Sequence, residues 1–162
     1  MTDWSVRGTD RKRIRVTVQS GLDLANLNSR PEPDLLWVQA ARYRDQHPTA
    51  ADLKLAIEVS DSSLQADLID KAALYAEAGI VEYSIVDAKG QCLHVFRNPQ
   101  AGEYTQQSVA KIGEFLWPLE PCNHSLDLHD LFVLSPPTAR RHGRSRLDTY
   151  RCDRRLHRAR HR

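Results

Sequence analysis

Three residues of this chain have the side chains that phosphodiester hydrolysis requires: Asp34, Glu58 and Lys71. Breaking such an ester near neutral pH calls for a hard cation that polarises the phosphate and lowers the pKa of an attacking water. Carboxylate oxygens hold a cation of that kind. A further positive group then meets the charge that develops on phosphorus. Asp34 and Glu58 are the candidate acids for Mg²⁺ or Mn²⁺, and Lys71 is the candidate cationic group. Asp67 lies four residues before Lys71, on the same side of a helix, and can orient its amine. Each residue also has an ordinary explanation. A strand-mouth Asp is commonly a turn or cap residue, a Glu on a strand commonly sits on a solvated face, and a flanking Lys commonly snorkels to water. The case rests on the three occurring together in this order.

The surrounding pattern supplies elements that can position them. Arg13 to Gln19 alternates Ile14, Val16 and Val18 with polar residues, the period of a half-buried strand. Asn26 to Pro33 is a loop, and Asp34 then opens the short apolar strand Leu35-Leu36-Trp37-Val38. Lys54 to Val59 is the strongest strand. Its alternation puts Leu55, Ile57 and Val59 on the core face, and Lys54, Ala56, Glu58 and Ser60 on the other. Asp61-Ser62-Ser63 offers N-cap residues for a helix from about Leu64 to Ala78, with Gly79 as its C-cap glycine. The helix carries an apolar stripe of Leu64, Leu68, Ala72, Tyr75 and Ala76, and Lys71 borders it. Glu82 to Val86 is a further strand, and the strand–helix–strand unit predicts a right-handed parallel crossover. Leu93 to Arg97 and Tyr104 to Val109 form a hairpin around Asn98 to Glu103. Leu126 to Leu134 closes the domain, and Ser135-Pro136-Pro137 ends it. The fold class is α/β, a mixed sheet with a strand–helix–strand crossover and a C-terminal hairpin.

The segment from Pro33-Asp34 through Glu58-Val59-Ser60, Asp67, Lys71, Tyr75, Gly79 and Glu82 to Asp87 resembles the Uma-type restriction endonucleases of the PD-(D/E)XK nuclease superfamily. The resemblance covers roughly Val16 to Leu134 and is most specific over Ile57 to Asp87. It implies a restriction-endonuclease-like core, Mg²⁺ dependence and DNA as substrate. It assigns Asp34 and Glu58 to the metal and Lys71 to catalysis. The superfamily's usual lysine follows the Glu by two residues, where this chain has Ser60, so the lysine is displaced onto the helix. Family members usually begin with a helix and a hairpin that bring a further acid near the site. No such element is evident here, and an N-terminally truncated copy is the expectation. The function expected is a Mg²⁺-dependent DNA endonuclease. The alternatives are an inactive remnant of the fold and a non-catalytic nucleic-acid-binding module.

Composition sets the remaining bounds. Hydrophobic residues make up 41% of 162 and charged residues 27%, a globular composition for one domain. The net charge of +2 conceals a split. Arg140 to Arg162 holds ten Arg and two acids, +8, leaving 13 basic and 19 acidic residues before it, −6. The expected division is therefore a nuclease domain at 1–139 and an Arg-rich tail at 140–162. With only two Leu, that tail cannot bury enough apolar area to order. Neither a bilayer-spanning run nor a secretory signal is evident, so a cytoplasmic protein is expected, with no membrane partner and a homodimer left open. Cys92, Cys122 and Cys152 are too few and too separated for a disulfide framework. Cys122 with His124 and His129 is at most a fragment of a zinc site.

Overall fold

A computed structural model of the chain describes residues 1–41, 43, 46–120 and 122–133. The Arg-rich stretch 140–162, Cys152 within it and the Ser135–Pro137 boundary lie outside those residues.

The apolar run after Asp34 becomes β2 (Leu35–Gln39), flanked by β1 (Ile14–Val18) and β3 (Leu53–Ser60). β4 (Glu82–Asp87), β5 (Cys92–Gln100) and β6 (Glu103–Lys111) follow, and the six strands lie side by side in chain order in one sheet. Neighbours pair antiparallel except β3 with β4, which are parallel. A parallel pair needs a crossover, and the helical segment after β3 provides it. That segment is not one regular α-helix as the apolar spacing predicts. It runs as α2 (Leu64–Ala66), a π-helical stretch at Asp67–Lys71, and α3 (Ala72–Glu77). A π-bulge shifts the side chains that follow it around the helix, and such bulges gather at functional sites.

The helix ends as Gly79 requires. With φ at +77°, Gly79 donates its N–H to the Ala76 carbonyl, while Ile80 donates to Tyr75. This is the paired closure of a Schellman motif. A Cβ at Gly79 would meet nothing within 4 Å, so only its backbone conformation is at stake. Gly79→Ala is therefore expected to cost about 1 kcal/mol in urea unfolding, the penalty of a left-handed non-glycine residue.

Both faces of the sheet are covered. One core joins Leu36, Val38, Ala56, Tyr83, Ile85 and Phe96 to Ala72, Tyr75 and Ala76 of the helix. The other joins Ile14, Leu35, Trp37, Leu55, Ile57, Val86 and Val95 to Leu128. Trp4 packs on this second core from α1 (Thr2–Gly8), a helix that the sequence pattern did not reveal. Glu58 is therefore not on a non-core face. It is buried, while Val59, expected in the core, is about half exposed. The helix covers the Glu58 face, and Val59 lies near the end of β3, beyond the second core. The hairpin strands also run closer to their turn than expected, ending at Gln100 and resuming at Glu103. Two short strands, β7 (Phe115–Leu116) and β8 (Leu126–Asp127), then lead into α4 (Leu128–Phe132).

Candidate active site

Glu58 sits where β3 passes under the helix. Its Oε1 is 3.0 Å from Lys71 Nζ and accepts a hydrogen bond from the Tyr75 hydroxyl at 3.1 Å. Lys71 Nζ is also 2.9 Å from Asp67 Oδ1. Asp67 Oδ2 accepts from Ser63 Oγ, which lies 3.2 Å from Ser60 Oγ, and the Tyr83 hydroxyl donates to the Asp67 carbonyl. Asp34 stands beside this network. It directly precedes Leu35, whose partner on β3 is Ile57, and its Oδ2 accepts the Val59 N–H at 2.8 Å. The structure thus joins Glu58 to Lys71 directly and sets Asp34 against the backbone next to Glu58. Among the described residues Lys71 pairs with Glu58 and Asp67 and not with Asp34.

The electrostatics follow from this packing. Burial pushes the Glu58 carboxyl above its ordinary 4.5, even though Lys71 and Tyr75 favour the charged form, and the Asp34 charge adds to the rise. Burial opposes the charge on Lys71, but its bonds to Asp67 and Glu58 outweigh this and hold its pKa above 10.5. Lys71 is therefore an ammonium at neutral pH, a donor of positive charge rather than a general base. Tyr75 is raised by burial and then by Glu58, so it remains a hydroxyl donor.

Asp67 goes the other way. Burial would raise its pKa, but hydrogen bonds from Lys71, Ser63 and Ser60 together take it below 3.8. A depressed carboxylate adds stability that is present above the unfolded value and lost as pH falls through the folded one. Asp67→Asn is thus expected to lower stability at neutral pH by roughly 1–3 kcal/mol, the scale for disrupting a buried charged hydrogen bond. It should also flatten the loss of stability below pH 3.8, measured by urea unfolding across pH.

Glu58 and Asp67 share the Lys71 ammonium and Asp34 stands beside them, so the three carboxylates and one ammonium carry a formal charge of −2. A polyanion cannot approach it without a cation. The acids fit a hard divalent ion in kind, since the donors are all oxygens. Among the described residues both close partners of Glu58 use Oε1 and Asp34 binds Val59 through Oδ2, so Glu58 Oε2 and Asp34 Oδ1 are the oxygens an ion would take. The three acids do not converge as tightly as Asp87, Cys92 and His94, whose ligand atoms all lie within 4.8 Å of one another. Cys122, His124 and His129 do not form such a group: Cys122 Sγ is taken up by the His124 carbonyl at 3.2 Å.

The network extends beyond what the sequence suggested. Tyr75 looked like one more member of the apolar stripe, and Ser63 like an N-cap. Ser63 makes no side-chain cap bond and turns to Asp67 instead. Its spacing of four before Asp67 was the available signal. A groove of about 480 Å³, lined by Val6, Arg11, Ile14 and Arg15 among others, lies at the α1–β1 edge and contains none of these residues.

No curated protein sequence matches the chain. A crystal structure from Anabaena variabilis, described as "a putative nuclease belonging to DUF820", is similar with a TM-score of 0.59 at 15% identity. The similarity covers 75% of this chain and 69% of that one, and at this identity it shows a shared fold. The Uma2 family model, described as "Putative restriction endonuclease", matches residues 1–129 and so takes in β1 through β8 with every acid and the lysine of the site. The chain belongs to the Uma2 family.

Proposed function

We propose that this protein is a Mg²⁺- or Mn²⁺-dependent endonuclease that hydrolyses phosphodiester bonds of DNA. The observation that supports the proposal is that Lys71 Nζ pairs with Glu58, while the Asp34 carboxylate accepts the backbone N–H of the next residue, Val59. Asp34 and Glu58 are the residues that would hold the ion. When bound, a hard cation supplies Lewis-acid polarisation of the phosphate and an acidified water. Glu58 is held on one side by Tyr75 and Lys71, so its free oxygen is aimed rather than mobile. Asp67 fixes the Lys71 amine, whose charge then meets the developing charge on the phosphoryl oxygens. Ser63 and Ser60 in turn hold Asp67 in its ionised form. The nuclease domain is taken as residues 1–139. The Arg-rich stretch 140–162 is taken as an accessory segment that adds salt-sensitive affinity for nucleic acid.

The proposal is tested by incubating supercoiled plasmid with the full chain and Mg²⁺, Mn²⁺ or EDTA, beside a single-stranded RNA. Nicked and linear DNA in the metal lanes, none with EDTA and intact RNA is the expected result. Cleavage of RNA alone would move the substrate class. No cleavage of either nucleic acid with any divalent metal would make this a non-catalytic member of the family. A chain lacking 140–162 should bind and nick DNA less well at low salt and with a shallower salt dependence, yet keep its chemistry.

A further inference from the structure

We infer that Asp87, Cys92 and His94 form a second metal site, for a borderline transition ion of the Zn²⁺ class, with its fourth position open to solvent. The site is built by strand register. Asp87 ends β4 and is paired directly with Cys92, which opens β5, and His94 lies two residues further along β5. Residues two apart on a strand share a face, as do directly paired residues across an antiparallel ladder. All three side chains therefore project to the same side of the sheet, and their ligand atoms lie within 4.8 Å of one another.

The spacing suits an ion of tetrahedral habit. With Zn–S near 2.3 Å and Zn–N near 2.0–2.1 Å, a tetrahedral angle places sulfur and nitrogen about 3.5 Å apart. Cys92 Sγ and His94 Nε2 are 3.6 Å apart. The corresponding sulfur–oxygen separation is also about 3.5 Å, and Cys92 Sγ lies 3.9 Å from Asp87 Oδ2. The carboxylate is oriented from behind, since Asp87 Oδ1 accepts the Gly90 N–H at 2.8 Å and Oδ2 is thereby turned toward the sulfur. Outer contacts of this kind aim a ligand at its metal. A Cβ at Gly90 would press on the Asp87 carboxylate, so a larger residue there has to shift that ligand.

The donor set decides the class of ion. One thiolate, one imidazole and one carboxylate favour zinc, cobalt or nickel, whereas Mg²⁺ prefers oxygen alone. Asp87 is buried, while Cys92 and His94 are half-buried, so the site is anchored by a protected acid and reached from solvent. Binding displaces one proton from the Cys92 thiol to solvent. The ion would tie β4 to β5 at their connecting turn. Asp87 pairs with Ser60 across the parallel ladder, which puts this tie one residue pair from the Ser60–Ser63–Asp67 chain of the proposed active site. The inference does not depend on the nuclease proposal.

The test is a Co²⁺ titration of the full chain, stripped with chelator, followed by the sulfur-to-cobalt charge-transfer and tetrahedral d–d absorption and then displaced with Zn²⁺. One equivalent of absorbing complex is expected, bleached by Zn²⁺. Cys92→Ser should abolish the charge-transfer band, and His94→Ala should weaken binding by at least tenfold. Gly90→Ala should weaken it about ten- to a hundredfold, the scale for disturbing an outer-sphere contact. Cys122→Ser should change nothing, and Asp34→Asn should leave the band intact, which separates this site from the proposed Mg²⁺ acids. No cobalt–sulfur absorption in the wild type, or absorption that survives Cys92→Ser, would overturn the inference.

Discussion

Lys71→Ala is expected to lower the rate of the proposed metal-supported DNA cleavage by about a hundredfold or more, the scale for loss of one preorganised donor to transition-state charge, while metal affinity is kept or rises. The two effects separate because the proposal gives Lys71 two functions. In the free protein its ammonium offsets Glu58 and Asp67 at 3.0 and 2.9 Å. In the proposed reaction the same charge would face phosphoryl oxygens. Without it the acids regain −1 of formal charge and attract a divalent ion more strongly. The metal-free variant should be less stable than wild type, because two buried carboxylates lose their counter-charge. Added Mn²⁺ should restore much of that stability through binding to the folded state alone. Single-turnover cleavage beside melting with and without Mn²⁺ distinguishes these effects. Equal cleavage by Lys71→Ala and wild type would remove Lys71 from the chemistry.

Glu82→Ala is expected to produce a large loss of stability, about 3–5 kcal/mol, as for removing one partner of a buried ion pair. Glu82 is fully buried, and one oxygen takes both Nε and a terminal nitrogen of Arg97 on β5. The other accepts the Leu119 N–H at 2.8 Å, and Arg97 reaches on to the Trp117 carbonyl. A single carboxylate thus pins the Trp117–Leu119 segment to the sheet. Truncation leaves a half-buried guanidinium and a backbone donor without their acceptor. Burial nevertheless pushes the Glu82 carboxyl above 4.5, against the Leu119 N–H and Arg97. The sign follows: the fold prefers its protonated form, so its contribution declines as pH rises from 4.5 through the raised value. The pair is then expected to specify position more than to add net stability. Replacing Glu82 and Arg97 together by apolar residues of similar volume should cost much less than Glu82→Ala alone. Urea unfolding of the single and double variants decides this, and a double variant as unstable as the single one would contradict it.

How much of this was legible in the sequence depends on how local each feature is. β2, β3, β4 and the hairpin announce themselves by apolar runs and alternation, and Gly79 marks the helix end because only its φ of +77° closes the last turn. Asp67 and Lys71 were readable as an i, i+4 pair, and their ion pair is present. The burial of Glu58 was not readable. Alternation says that two faces differ, but not that a helix will cover the more polar one, with Tyr75 donating to the acid beneath it. The π-helical stretch at Asp67–Lys71 leaves no compositional mark, since its residues are ordinary helix formers and its geometry answers to tertiary packing. The Asp87–Cys92–His94 group needs the β4–β5 register before its members become neighbours. Helix α1 is seven residues long, too short for a periodic stripe, and is recognisable only by Trp4 lying against Trp37.

The central claim is that Asp34 and Glu58 together hold the divalent ion that the reaction uses. The measurement that reaches it most directly is isothermal titration of Mn²⁺ into the Cys92→Ser chain, whose sulfur site is silenced, and into the same chain carrying Asp34→Asn or Glu58→Gln. Each substitution keeps shape and removes one hard anionic ligand. The account predicts a measurable Mn²⁺ affinity in the parent and a loss of at least tenfold in both variants, with plasmid nicking falling in step. Mn²⁺ affinity unchanged by either substitution, with nicking retained, would contradict it.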